Sequence, residues 1–145
     1  MSASHRLLLV LAPLALLSAC KPAPSEPAAE KLDFVTHVQP ILQSACVNCH
    51  HDEALLGHLN LQSAAQAFAD RPGGPAIVPG KPEASPLYIV LTLPVEEQKA
   101  MPPESHRLPA EQVALIRRWI EEGAEWPAGP DGAVRPSPAI RAPQP

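Results

Sequence analysis

Between Phe34 and Trp126 the apolar residues fall in short runs of helical spacing, separated by Pro and Gly. The last run is the clearest. Pro109 opens it, Val113, Ile116, Trp119 and Ile120 make one stripe, and Gly123 supplies the stop. Ser85 followed by Pro86 marks another start, an N-cap with Pro at the first helical position, leading into Leu87 to Leu91. Thr36 and Gln39 have the spacing of a capping box, and Pro40 falls within the first turn, where its missing N–H costs no helical bond. That pattern predicts a first helix running through Ile41 and Leu42 to about Cys46. Gln62 to Ala69 reads as a shorter fourth helix. Nothing alternates with period two for long enough to argue a sheet, so the expectation is an all-α domain over residues 34–126.

The first residues follow a different pattern. His5 and Arg6 precede an apolar run from Leu7 to Leu17, broken by Pro13. This is the charged and apolar order of an export signal, and it is shorter than the ~18 residues a transmembrane helix needs. The run ends in Leu17-Ser18-Ala19-Cys20, which resembles the cleavage box of bacterial lipoproteins. The resemblance implies a signal peptide over 1–19 and lipidation of Cys20 as the first residue of the mature chain. Lys21, standing where sorted lipoproteins can carry Asp, favours the outer membrane. The plainer alternative is an ordinary signal peptide that leaves Cys20 as a free thiol. Residues 20–33 then read as a lipidated Cys with a Pro-rich tether, and 127–145 as a disordered Pro-rich tail. The chain is expected to be exported, periplasmic and anchored to a membrane through its N-terminal lipid.

Composition narrows the function classes. The chain has 145 residues, 20 of them proline, and a formal charge of −4, which excludes a basic nucleic-acid binder. Three cysteines are too few for a disulfide scaffold. The aromatics are only Phe34, Phe68, Tyr88, Trp119 and Trp126, a thin core for such a proline-rich domain. A cofactor is expected to complete the interior. The acidic balance suggests a basic or neutral docking face on a partner protein, and the chain is expected to be monomeric.

Cys46-Val47-Asn48-Cys49-His50 names the cofactor. C-x-x-C-H is the attachment motif for a c-type haem. Thiols three positions apart reach the two vinyl groups of one porphyrin, and the following imidazole reaches the iron. Two other chemistries use the same residue types. A thioredoxin-like pair would require a βαβ context. A zinc site would require two further ligands from His50, His51, His58 or His106, without a second paired motif to supply them. For the distal side of the iron the candidate is Met101, the one methionine left once the leader is removed. It sits before Pro102 and Pro103, outside every apolar stripe. His106 is the nearest rival, with His37, His51 and His58 behind it.

Taken in order, the segments resemble the planctomycete-type cytochrome c domain, a branch of the class I cytochrome c fold. The matching text is Val38 to Leu42 before the haem motif, Gly73 to Glu83, Ser85 to Tyr88, Met101-Pro102-Pro103, and Ile116 to Ala124 with Trp126-Pro127. The resemblance implies short helices wrapped around one covalently attached haem c. Cys46 and Cys49 would be its thioether links, His50 its proximal iron ligand and Met101 its distal one. Two positions depart from the family pattern: Pro109 stands where the last helix is often capped by Ser or Thr, and His51 where Gly is usual. A His/Met-ligated iron has no position left for substrate, so the expected activity is single-electron carriage, with no enzymatic reaction of its own. The alternative is a haem-based sensor or a peroxidase-like module in which Met101 dissociates.

Overall fold

The structure is a computed structural model that describes residues 30–103 and 106–136. The expected leader 1–19, Cys20, the tether up to residue 29 and the tail beyond residue 136 lie outside the described residues. Among those described, the chain is all-α: helices and turns, with no strand.

The first helix begins earlier than Thr36. Asp33 is the cap, its carboxylate accepting the Thr36 N–H at 2.7 Å while its own N–H donates to His37 Nδ1 at 3.1 Å. A carboxylate at the positive end of a helix is a stronger acceptor than the Thr36 hydroxyl, which the sequence pattern had favoured. The backbone first makes a wide π turn over Phe34–Val38, then narrows to an α-helix, α1, over Gln39–Ala45. The change comes at Pro40, which has no N–H to continue the wide pattern. Helix α2 (Ala64–Ala67) is capped by Ser63, which accepts from Gln66 N–H, and it is shorter than the predicted Gln62–Ala69.

Helix α3 (Pro86–Thr92) starts at Pro86 as expected, but Ser85 does not cap it. Its hydroxyl is fully buried and clamps the preceding loop, accepting from Val78 N–H at 2.9 Å and donating to the Lys81 carbonyl at 2.9 Å. Helix α4 (Ala110–Glu121) follows Pro109 and buries Ile116, Trp119 and Ile120, with Val113 half-buried on the same stripe. Gly123, at φ +104°, ends it. The Gly123 N–H reaches the Ile120 carbonyl at 3.0 Å, and the Ala124 N–H reaches that of Trp119 at 2.8 Å, the paired bonds of a Schellman cap.

Four of the five aromatics gather at one end. Phe34 stacks on Trp126 with ring centroids 4.5 Å apart, and Trp119 meets Trp126 edge-on at 6.0 Å. Phe68 closes on Trp126 at 6.3 Å. Both indole N–H groups are satisfied, Trp119 by the Glu125 carbonyl and Trp126 by that of Gly132.

That last bond lies outside the predicted domain. Residues 127–136 were expected within a disordered tail, yet they fold back onto the aromatic end. Gly129–Gly132 forms a 3₁₀ turn, Val134 is fully buried, and its N–H donates to the Gln62 carbonyl at 2.9 Å. Gln39 holds the same segment through the Asp131 and Ala133 carbonyls. The approach is close: a Cβ at Gly132 would sit 1.7 Å from the Pro127 carbonyl oxygen, so no other residue fits. At the other end Leu32 is buried, its N–H bound to Glu122 at 2.7 Å. The folded unit therefore runs from about Leu32 to Val134, wider than 34–126.

Candidate functional site

The haem motif occupies the turn that follows α1. The Cys46 and Val47 N–H groups both reach back to the Leu42 carbonyl, and the Cys49 and His50 N–H groups both donate to that of Cys46 at 3.1 Å. The turn is pinned by Val47, whose side chain is fully buried, and by the Leu61 N–H on the His50 carbonyl. Cys46 and Cys49 are free thiols. Burial pushes the Cys46 thiol up to about 12, with the Cys49 thiolate adding to the effect. A reactive redox thiol has the opposite property, a lowered value and an electropositive setting.

His50 is oriented by its own chain. Its Nδ1 lies 2.9 Å from the Leu56 carbonyl, and a carbonyl only accepts, so Nδ1 carries the proton and Nε2 keeps its lone pair. Burial holds the imidazole below its ordinary value, aided by the charges of Arg71 and His51 and opposed by hydrogen bonds to the Leu56 and Leu59 backbone. The acceptor comes from a strained loop. Leu55, Gly57 and His58 all have positive φ (37°, 66° and 55°), a conformation that costs a non-Gly residue about 1–2 kcal/mol.

Cys46, Cys49, His50 and Met101 line a single cavity of about 590 Å³. Its walls come from the end of α1, the Leu56–Leu61 segment, Arg71 to Ala76, α3 and the Gln98–Pro103 loop. They are mostly Leu, Ala, Val, Gly and Pro. Met101 is half-buried and held through its backbone: its N–H donates to the Val90 carbonyl at 2.9 Å, and its own carbonyl accepts from Arg107 at 3.0 Å. His37, His51, His58 and His106 are not part of this wall. His51 instead accepts the Glu53 N–H at 3.3 Å, in the turn after the haem motif.

The residues fit a c-type haem. Two thiols, an imidazole nitrogen and a thioether sulfur share one largely apolar cavity within the ~300–1,000 Å³ range of cofactor sites. Arg71 adds a cation to the wall. Its Nη1 donates to the Gly57 carbonyl at 3.3 Å, while its buried Nε has no hydrogen-bond partner among the described residues. An unpaired buried donor suits a carboxylate, the group that haem propionates supply. The zinc reading finds no support: among the described residues no three His, Cys, Asp or Glu side chains cluster to hold a metal ion. Arg71, Arg107 and the Leu56 carbonyl were not picked out from the sequence. None belongs to a local motif, and each acts only once distant segments meet.

Residues 46–105 match the family model described as planctomycete cytochrome C. The match starts at the first haem cysteine and takes in Met101 and every cavity wall except the end of α1. Searches of curated proteins and of solved structures returned no match. An all-α fold, a haem motif opening onto one apolar cavity and the matched family model together support a cytochrome c domain of the planctomycete type, a family that binds haem c covalently and transfers electrons.

Proposed function

We propose that the protein is a monohaem c-type cytochrome that carries single electrons and is tethered to a bacterial membrane through a lipid on Cys20. The supporting observation is that Cys46, Cys49, His50 and Met101 line one cavity. One C-x-x-C-H motif in the sequence implies one haem. The haem supplies a ferric/ferrous couple, and thioether ligation favours the ferrous form.

The chain's residues do the rest. Cys46 and Cys49 anchor the porphyrin through thioethers. His50 ligates the iron through Nε2 while Leu56 fixes its ring and tautomer, the outer-shell support that metal-bound imidazoles need. Met101 would supply the second ligand, and the apolar walls would keep water away from both. With both ligands supplied by the chain, the iron would have no position left for substrate, which favours a carrier over an enzyme. Export to the periplasm, with the outer membrane favoured by Lys21, places it beside redox partner proteins.

The test is expression of the full chain in a host that matures c-type cytochromes. The mass of the product should exceed that of the processed polypeptide by one haem, surviving denaturation, and the haem should cycle reversibly between its two states. The Cys46→Ala/Cys49→Ala variant should carry no covalent haem. A wild-type product with no haem after denaturation, or with two, contradicts the proposal.

A further inference from the structure

Arg107 lies between the Met101 loop and α4, half-buried, and its guanidinium is aimed at backbone carbonyls. Nη2 donates to the carbonyls of Leu91 at 3.0 Å and Leu93 at 2.9 Å, at the C-terminal end of α3. Nη1 donates to the Met101 carbonyl at 3.0 Å and, at greater length, to that of Pro102 at 3.5 Å. The pair at α3 meets a general need, because the last carbonyls of a helix have no partner within it and carry its negative end. The pair at Met101 has no such explanation. It ties a loop to a helix end, and the loop bears the candidate iron ligand.

Met101 is thereby fastened to α3 on both sides of its Cα. Its N–H is on the Val90 carbonyl, and its carbonyl reaches Leu91 and Leu93 through one rigid fork. Helix α3 also lends Leu87, Val90 and Leu91 to the cavity wall. A shift of Met101 relative to that wall therefore requires bonds to Arg107 to break. Lysine cannot substitute fully, since it offers a point charge on a flexible stem where arginine offers a planar fork.

We infer that Arg107 is a positioning residue that holds the Met101 sulfur in its ligating place and so sets how readily the distal position opens. This rests on the reading of Met101 as the distal ligand. The plain structural role would be a cap on α3 and nothing more.

The experiment uses the full-length haem-loaded protein in four forms: wild type, Arg107→Gln, Arg107→Lys and Gln39→Ala. The last loses two hydrogen bonds to the 127–136 segment and serves as a control for general destabilisation. Carbon monoxide binding to the reduced protein and the sulfur-to-iron charge-transfer band of the ferric protein are measured at neutral pH, beside denaturant midpoints. Arg107→Gln should bind carbon monoxide about ten-fold faster or more, since one lost charge-assisted bond is worth roughly that factor, and its band should weaken. Arg107→Lys should fall between it and wild type. Gln39→Ala should lower the midpoint and leave both haem readouts unchanged. If Arg107→Gln fails to load haem, Arg107→Lys is judged by the same criterion. A lowered midpoint with wild-type carbon monoxide kinetics and band in both Arg107 variants overturns the inference. A wild-type protein that already lacks the band overturns the ligand assignment itself, and the wild-type arm separates that failure from the other.

Discussion

The two ends of this domain bury their surface by different means. At one end Phe34, Phe68, Trp119 and Trp126 meet ring on ring, each indole N–H has a carbonyl, and Val134 closes the cluster from the far end of the chain. At the other, aliphatic side chains, Gly and Pro enclose a cavity of about 590 Å³ that no Phe, Tyr or Trp among the described residues lines. The aromatic end is filled by the chain's own side chains. The cavity end brings chemical groups together and leaves the volume between them to a cofactor. The difference separates two jobs along one short chain: the aromatic end supplies stability, and the cavity end gathers the candidate haem-binding groups. The haem turn is where they meet, because the buried Val47 sits between the two cysteines of the motif and belongs to the common core.

The contrast is broken most visibly at Trp126. This residue touches three other rings and holds Gly132 through its indole, so Trp126→Ala should cost about 3–5 kcal/mol, a large share of a small domain's stability. Denaturant unfolding of the haem-loaded protein measures it. Below the unfolding transition the haem spectrum should match wild type. A spectrum that changes in step with the stability loss would mean that the two ends are not separable.

A smaller effect at the aromatic end comes from acid. Glu122 is held below its ordinary value of 4.5, first by the Leu32 N–H and then by Arg118. A carboxylate depressed in the folded state stabilises it fully above the ordinary value, and that contribution is lost as pH falls through the lower folded value. Glu122→Gln should therefore be less stable than wild type at about pH 6, and the gap should be narrower at about pH 3. Denaturant midpoints at the two pH values test this. A gap of the same size at both would show that Glu122 acts through side-chain contacts and not through its charge.

The same division explains what the sequence made legible. The haem motif could be picked out because attachment chemistry dictates the spacing of Cys46, Cys49 and His50, and Met101 because a methionine between helices is poor core material; all four line the cavity. Helix α4 was legible because Pro109, its apolar stripe and Gly123 are all local signals. The return of residues 127–136 was not. Proline-rich composition looks like a tail, and its order depends on a close approach at Gly132 and one buried Val134, neither visible without the partner surface. Asp33 and Thr36 both fit a capping pattern, and only the backbone path decides which acceptor faces the free N–H groups. Arg71 and Arg107 illustrate the same point for the site. A single arginine has no pattern, and its role is set by which carbonyls the fold brings within reach.

The proposed electron carriage depends on Met101 occupying the distal position of a haem held by Cys46, Cys49 and His50. The most direct measurement is the electronic spectrum of the wild-type haem-loaded protein at neutral pH, ferric and then reduced under carbon monoxide. A carrier with these ligands should show a sulfur-to-iron charge-transfer band in the ferric protein and only slow carbon monoxide binding in the reduced one. A ferric spectrum without that band, together with ready carbon monoxide binding, would contradict it and make the haem an open site for sensing or peroxide chemistry.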